Sequence, residues 1–216
     1  MTIDDLEHKY SIKLPEVYRR FFEDGMLFQE DNIPNSQTLR DNPTLLCNAT
    51  DFEQMTINQI DKQLENKPDY WKEELVLIPF GQTGRGEWYA FFYDLQENDN
   101  VPIVLLEQAM NGVVLAKNLE DFIFRMILET ACVNFYIQEK VENEIIFRNN
   151  LIRMIQSHRK YLYAEQKLII DDTFNKPMKY SNKNEAGMLS REELNSYLKE
   201  VIDFKYLNLE FEYYKD

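Results

Sequence analysis

Apolar positions along the chain change spacing twice, from helical to strand-like and back to helical. Thr2 precedes Asp5 at capping-box spacing, and Leu6 and Tyr10 are the apolar residues of a short first helix. Leu14-Pro15 restarts the chain, with Pro15 suited to a first helical position. Val17, Tyr18, Phe21 and Phe22 follow at helical spacing, and Gly25 is a natural stop. Residues 26–55 carry Pro34, Pro43 and several Asn and Asp, which predicts mostly loop with one short strand near Met26–Phe28. Residues 56–66 predict a helix with Ile57, Ile60 and Leu64 on one face.

The centre reads as strands. Leu75–Phe80 is a short apolar run, 81–86 a glycine-rich turn, and Trp88–Tyr93 an aromatic strand that closes at Asp94. After a turn at Asn98–Asn100, the runs Ile103–Leu106 and Val113–Leu115 flank Asn111-Gly112, a hairpin signal. Strands joined by short turns imply an antiparallel meander. Asn118 then caps a helix with the stripe Phe122, Ile123, Met126 and Ile127. A longer helical pattern covers 142–163, with Ile145, Ile146, Leu151, Ile152 and Ile155. Residues 171–189 are polar, contain Pro177 and Gly187, and read as loop. Ser190 and Glu193 form a capping box before Leu194, Tyr197, Leu198, Val201 and Ile202. Residues 206–214 alternate loosely, as in a terminal strand. The expected fold class is α+β, an antiparallel meander with helices packed on one face. The expected domains are 1–132, carrying the sheet, and 133–216, a mainly helical C-terminal extension packed on it.

Charge narrows the choice of partner. The chain has 24 Lys+Arg against 38 Asp+Glu, a formal net charge of -14. Binding nucleic acid rests on cationic side chains neutralising phosphates. The balance therefore excludes nucleic acid and anionic membrane surfaces and favours a basic partner, or none. Residues 1–132 hold 24 acidic and 11 basic residues, and 133–216 hold 14 and 13, so the acidity belongs to the sheet-containing part. The N-terminus lacks an apolar signal region, and no apolar run approaches the roughly 18–20 residues of a membrane span. Cys47 and Cys132 form no CxxC pair and read as small buried thiols in a reducing compartment. A soluble cytoplasmic protein is expected.

Candidate chemistry is sparse. His8 and His158 have no ligand-type neighbours at helical spacing and read as surface residues. Glycines 81, 84 and 86 match neither phosphate-loop template, and a strand follows where a helix is needed. Asp94–Glu107 has alternating acidic and amide groups but lacks the central glycine of a calcium loop. No Ser lies in GxSxG, and carboxylate pairs such as Asp4-Asp5, Glu73-Glu74 and Asp171-Asp172 follow from composition. No cofactor, metal or catalytic residue is assigned. The aromatic strand 88–93 alternates, so it is either covered on both faces or presents one face to a partner.

The order of these features resembles the SUKH superfamily of bacterial immunity proteins, which includes the fungal cell-wall assembly and glucan-synthesis regulators. The matching residues are Leu6, then Leu14-Pro15-x-x-Tyr18-x-x-Phe21-Phe22 with Asp24-Gly25. Leu77-Ile78-Pro79-Phe80-Gly81, Gly84-x-Gly86-Glu87 and the strand end at Asp94 follow, then Asn118-Leu-Glu-Asp-Phe122. The resemblance covers residues 1–131; Glu87 departs from the commoner aspartate. It implies an α+β fold with a concave sheet face and the job of binding and neutralising a cognate toxin, often a nuclease or deaminase and in many cases basic. The residues this points to are Glu87, Trp88, Tyr89, Tyr93 and Asp94, with Gln82 and Arg85 at the turn. Two other readings stand beside it: an intracellular regulator or scaffold, as in the fungal branch, and a carboxylate hydrolase.

Overall fold

The computed structural model describes residues 1–28, 44–47, 49, 51–107, 111–132, 141–182 and 185–215, with the backbone alone for 141–143, 181, 182, 185 and 186. The chain divides into two compact units: residues 1–34, 51–119 and 205–216 form the first, and 35–50 with 120–204 the second. The fold class is α+β, with an antiparallel sheet and a helical C-terminal part.

The first unit opens with α1 (Ile3–Tyr10) and α2 (Glu16–Glu23). Thr2 and Asp5 close the expected capping box on α1. Gly25 ends α2 at φ 70°, and the Met26 amide donates to the Phe21 carbonyl at 2.8 Å. This is a glycine-terminated helix end whose following apolar residue folds back onto the last turn. It corrects the strand expected at Met26–Phe28: Met26 and Leu27 are buried because they staple a helix end, not because they pair. Helix α3 (Ile57–Glu65) carries a capping box from Thr56 and Gln59 and buries Ile57 and Ile60. Lys9 of α1 reaches Asp61 at 2.7 Å and Glu65 at 2.6 Å on α3, and these bonds hold its ammonium above the usual lysine range.

The sheet contains β1 (Glu53–Gln54), β2 (Leu77–Gln82), β3 (Trp88–Phe92), β4 (Ile103–Leu106), β5 (Gly112–Ala116) and, returning from the C-terminus, a strand at Glu210–Phe211. Every pairing is antiparallel, and β2 to β5 form the expected meander. Strand β2 starts two residues later than its apolar run suggests and continues through Gly81, because Phe80 and Gly81 absorb a bulge opposite β3. A Cβ on Gly81 would lie 2.5 Å from the Phe52 ring. Gly112 is likewise a strand residue, opposite Leu106, and is small because the Phe211 ring lies against it. Asn111-Gly112 is therefore not a two-residue turn; 108–110 lie outside the described residues.

Strand β3 is covered on both faces. Phe91 stacks on Phe80 at 4.5 Å and meets Tyr18 edge-on at 5.4 Å, while Tyr89 packs on Phe52 at 5.5 Å. On the other face Phe92 stacks on Phe211 at 4.6 Å, and Trp88 meets Trp71 at 5.3 Å. Such ring pairs favour offset and edge-on geometry and contribute beyond the area they bury.

The second unit contains α4 (Leu119–Cys132, of which residues 120–132 belong here), α5 (Val141–His158), α6 (Ala164–Asn175), the hairpin β6 (Lys179–Asn182) and β7 (Glu185–Gly187), and α7 (Arg191–Ile202). The Glu210–Phe211 strand is thus β8. Helix α4 buries Phe124 and Leu128 along with the expected stripe, and leaves a narrow polar side where Arg125 pairs with Glu129 at 2.7 Å. Buried Asp121 in its first turn accepts from Gln166 Nε2 at 2.7 Å, and Gln166 Oε1 takes the Tyr163 amide at 3.0 Å. One side chain thus ties the starts of α4 and α6 together.

Two expectations fail in this unit. Residues 171–189 are not loop: α6 runs to Asn175 and a polar hairpin follows. The helix carries no apolar periodicity because two of its inward residues, Gln166 and Thr173, are polar. His158 is buried, not on the surface. Its Nε2 accepts the Leu46 amide at 2.9 Å and its Nδ1 donates to the Met154 carbonyl at 2.7 Å. The inward stripe of α5 is Leu151, Met154, Ile155 and His158, at i, i+3, i+4 and i+7. Ile145, Ile146 and Ile152 are 53%, 58% and 41% exposed.

Candidate partner-binding surface

The candidate site lies on the first unit, at the end of the β2–β3 hairpin. Thr83 organises it. Its buried hydroxyl oxygen accepts the amides of Arg85 and Glu87, each at 3.2 Å, and donates to Glu87 Oε2 at 3.0 Å. A threonine two residues ahead of a turn position closes the turn on its own side chain in this way. Gly86 supplies the positive φ of 82°. Outside the turn, Asp51 Oδ1 takes the Gly84 amide at 2.8 Å, and Gln82 Nε2 donates to Glu53 Oε2 at 2.9 Å. Gln82 is the register partner of Trp88.

Of the residues the sequence points to, this brings together Gln82, Arg85, Glu87 and Trp88. Arg85 is exposed, and Gln82, Glu87 and Trp88 are half-buried. Tyr89 is adjacent but faces inward, 6% exposed, with its hydroxyl donating to the Asp51 carbonyl at 3.3 Å. Tyr93 and Asp94 stand at the opposite end of β3, about 16 Å away at the rise of an extended strand. Tyr93 donates to the Lys13 carbonyl at 2.8 Å, and burial, helped by the Glu7 charge, holds its phenol above the usual tyrosine range. Exposed Asp94 accepts the Val76 amide at 2.8 Å and so pins the residue before β2. Asp51, Glu53 and Thr83 were not singled out in the sequence. For Thr83 the Thr-x-x-Gly turn was a usable signal; Asp51 and Glu53 arrive through a strand of two residues that no periodicity marks.

Electrostatically the surface is acidic. The first unit holds 23 acidic and 11 basic residues, the second 15 and 13. Asp51, Glu53 and Glu87 converge on one turn, which also carries the exposed Arg85. Among the described residues no group of three or more His, Cys, Asp or Glu is placed to hold a metal ion. Cys47 is half-buried and Cys132 buried, and desolvation pushes both thiols up. No described helix is long and apolar enough to cross a membrane.

Thr83→Val keeps the shape of the side chain but strips three hydrogen bonds from the turn. It is expected to cost about 2 kcal/mol, because two amides and a carboxylate lose their partner. Urea unfolding checks this, and a change below about 0.5 kcal/mol would remove Thr83 from its organising role.

An antiparallel meander flanked by helices, with a charged hairpin at one end, defines an α+β domain. Residues 2–125 match the model of the SMI1 / KNR4 family (SUKH-1), more than half of the 216-residue chain, and the chain belongs to that family. The family is one of immunity- and regulator-type domains, generally binding modules without enzymatic activity. No curated protein and no solved structure matches the chain.

Proposed function

We propose that this chain is an immunity protein that binds and neutralises a cognate toxin domain of basic character in the cytoplasm. The reading rests on one observation above others: the family-bearing unit concentrates the acidity, and three of its carboxylates converge on the β2–β3 turn. An acidic surface speeds encounter with a basic partner and competes with the polyanion such a toxin would act on. Gln82, Arg85, Glu87 and Trp88, with Asp51 and Glu53, form the contact patch; Tyr89, Tyr93 and Asp94 keep the strand behind it in place.

The test pairs capture with protection. Immobilised wild type and a Glu53→Lys/Glu87→Gln variant are exposed to extracts of the native cell. Glu53 is exposed, and Gln keeps an acceptor for Thr83, so the variant changes charge without dismantling the turn. The expected result is a basic protein held by wild type and lost by the variant. Expressed alone, that protein arrests growth; co-expressed with this chain, it does not. Equal retention by both forms, or no protection, would overturn the reading.

A further inference from the structure

A half-enclosed cleft of about 460 Å3 lies on the first unit, lined by Glu107, Asn111, Val113, Glu210 and Tyr214. It belongs to the sheet end that carries the β2–β3 hairpin. Leu106, the residue before Glu107, is the register partner of Trp88, and Val113 of β5 faces Glu210 of β8. Glu210 and Tyr214 come from the returning C-terminal segment, outside residues 2–125 that match the family. Buried Tyr213 donates to the Glu107 carbonyl at 2.6 Å. The Tyr214 ring stands edge-on to Tyr213 at 5.7 Å, and its backbone bridges to Trp71, so this wall stands without a ligand. Burial pushes the Tyr213 phenol up to about 12, and Glu107 of the cleft and Glu87 of the hairpin both raise it further, so the two acidic features act on one point.

The polar lining decides what fits. The Glu107 and Glu210 carboxylates and the Asn111 Oδ1 are acceptors, the Asn111 amide already turns to Glu210 at 3.5 Å, and Val113 offers only apolar surface. A ligand must therefore bring donors and positive charge together. The segments that wall the cleft, residues 70–74, 107, 111–116 and 209–215, carry five Glu against Lys72 and Lys215. Both lysines are engaged, Lys72 with Glu212 at 3.3 Å and Lys215 with Glu73 at 2.7 Å. Among the described residues neither Glu107 nor Glu210 pairs with a cation. A guanidinium is flat, permanently charged, carries five donors and stacks on ring faces, whereas an ammonium is a point charge that holds its water tightly. Carboxylates on separate strands beside a tyrosine ring suit the guanidinium.

We propose that this cleft receives an arginine side chain of the basic protein partner, its guanidinium shared between Glu107 and Glu210 against the Tyr214 ring and its methylene stem along Val113. The proposal rests on the basic-partner reading above and adds to the hairpin patch a second anchor, one that the C-terminal segment of this chain supplies.

Amide-resolved NMR of the full chain tests it, with acetyl-Gly-Arg-Gly-amide as the probe and its citrulline counterpart as the uncharged isostere. The arginine peptide is expected to shift the Val113, Glu210 and Tyr214 amides saturably, and the citrulline peptide to bind at least about tenfold more weakly. Glu107→Gln/Glu210→Gln is expected to abolish the response with an unchanged thermal midpoint, since Tyr213 bonds the Glu107 backbone and not its carboxylate. Glu212→Gln removes a charge outside the cleft lining and is expected to keep the response. Equal responses to the two peptides, shifts that miss the cleft, or an equal loss in Glu212→Gln would overturn the proposal. The captured basic protein separates this failure from that of the toxin reading. Affinity lost in Glu53→Lys/Glu87→Gln but kept in Glu107→Gln/Glu210→Gln would overturn the cleft proposal and leave that reading standing. An arginine response at the cleft with no basic protein captured by wild type would overturn the reading and leave the cleft as an arginine site.

Discussion

Gly187→Ala is expected to destabilise the second unit by on the order of 3 kcal/mol or more. A Cβ at this position would sit 1.7 Å from the Cys132 carbonyl oxygen and 2.6 Å from its carbon, both backbone atoms that cannot swing aside. The same contact lets Met188 donate to the Ala131 carbonyl at 2.7 Å, in the last described turn of α4. Forcing the β7 backbone away would break that bond and expose Met188 and Leu189, both buried. Urea unfolding measures the loss, and hydrogen exchange at the Met188 amide localises it. A variant within about 1 kcal/mol of wild type would show that β7 packs less tightly on the α4 end than the structure describes.

Acid is expected to weaken the same unit through His158. Burial lowers its ionisation from 6.5 to about 4, partly countered by the Met154 carbonyl. The ring is held neutral, with the Nε2 lone pair facing the Leu46 amide. Between pH 6.5 and 4 the unfolded chain takes up a proton that the folded chain refuses, so stability falls as pH drops through that window and is level above it. The slope is about 1.4 kcal/mol per pH unit, roughly 2 kcal/mol between pH 6.5 and 5, before most carboxylates titrate. Denaturation curves at these two pH values, for wild type and His158→Gln, isolate the effect. Wild type should lose the roughly 2 kcal/mol and the variant little of it; equal losses would contradict the assignment.

The elements with local signals were legible in the sequence. Thr2/Asp5 and Ser190/Glu193 mark their helices to the residue, and the meander from β2 to β5 follows from strand-length apolar runs between turn residues. Two of the failures share a cause: a side chain whose environment is set by residues far along the chain. His158 reads as polar, yet it fills the i+7 place of a core stripe because Leu46, over a hundred residues away, supplies its partner. Gly112 reads as a turn residue, but Phe211, at the far end of the chain, dictates its size. At the candidate site, the glycine turn and Glu87 were legible. Asp51 and Glu53 were not, because β1 pairs across a separation of 27 residues or more and is too short to show alternation.

Asp94 shows that a residue of a family signature can have a structural task. Its carboxylate holds the Val76 amide, so an aspartate at the end of β3 fixes where β2 begins. That is a structural reason for its identity, and it makes charge reversal there an ambiguous probe of binding.

The measurement that bears most directly on the central claim is the association rate with the captured basic partner, followed by stopped flow from about 20 to 500 mM salt for wild type and Glu53→Lys/Glu87→Gln. An acidic hairpin patch that steers a basic partner predicts a wild-type rate falling steeply with salt. The variant rate should be roughly tenfold slower at low salt and converge with wild type at high salt. Superimposable curves for the two proteins would contradict the claim that the Asp51, Glu53 and Glu87 end of the sheet is where the partner is met.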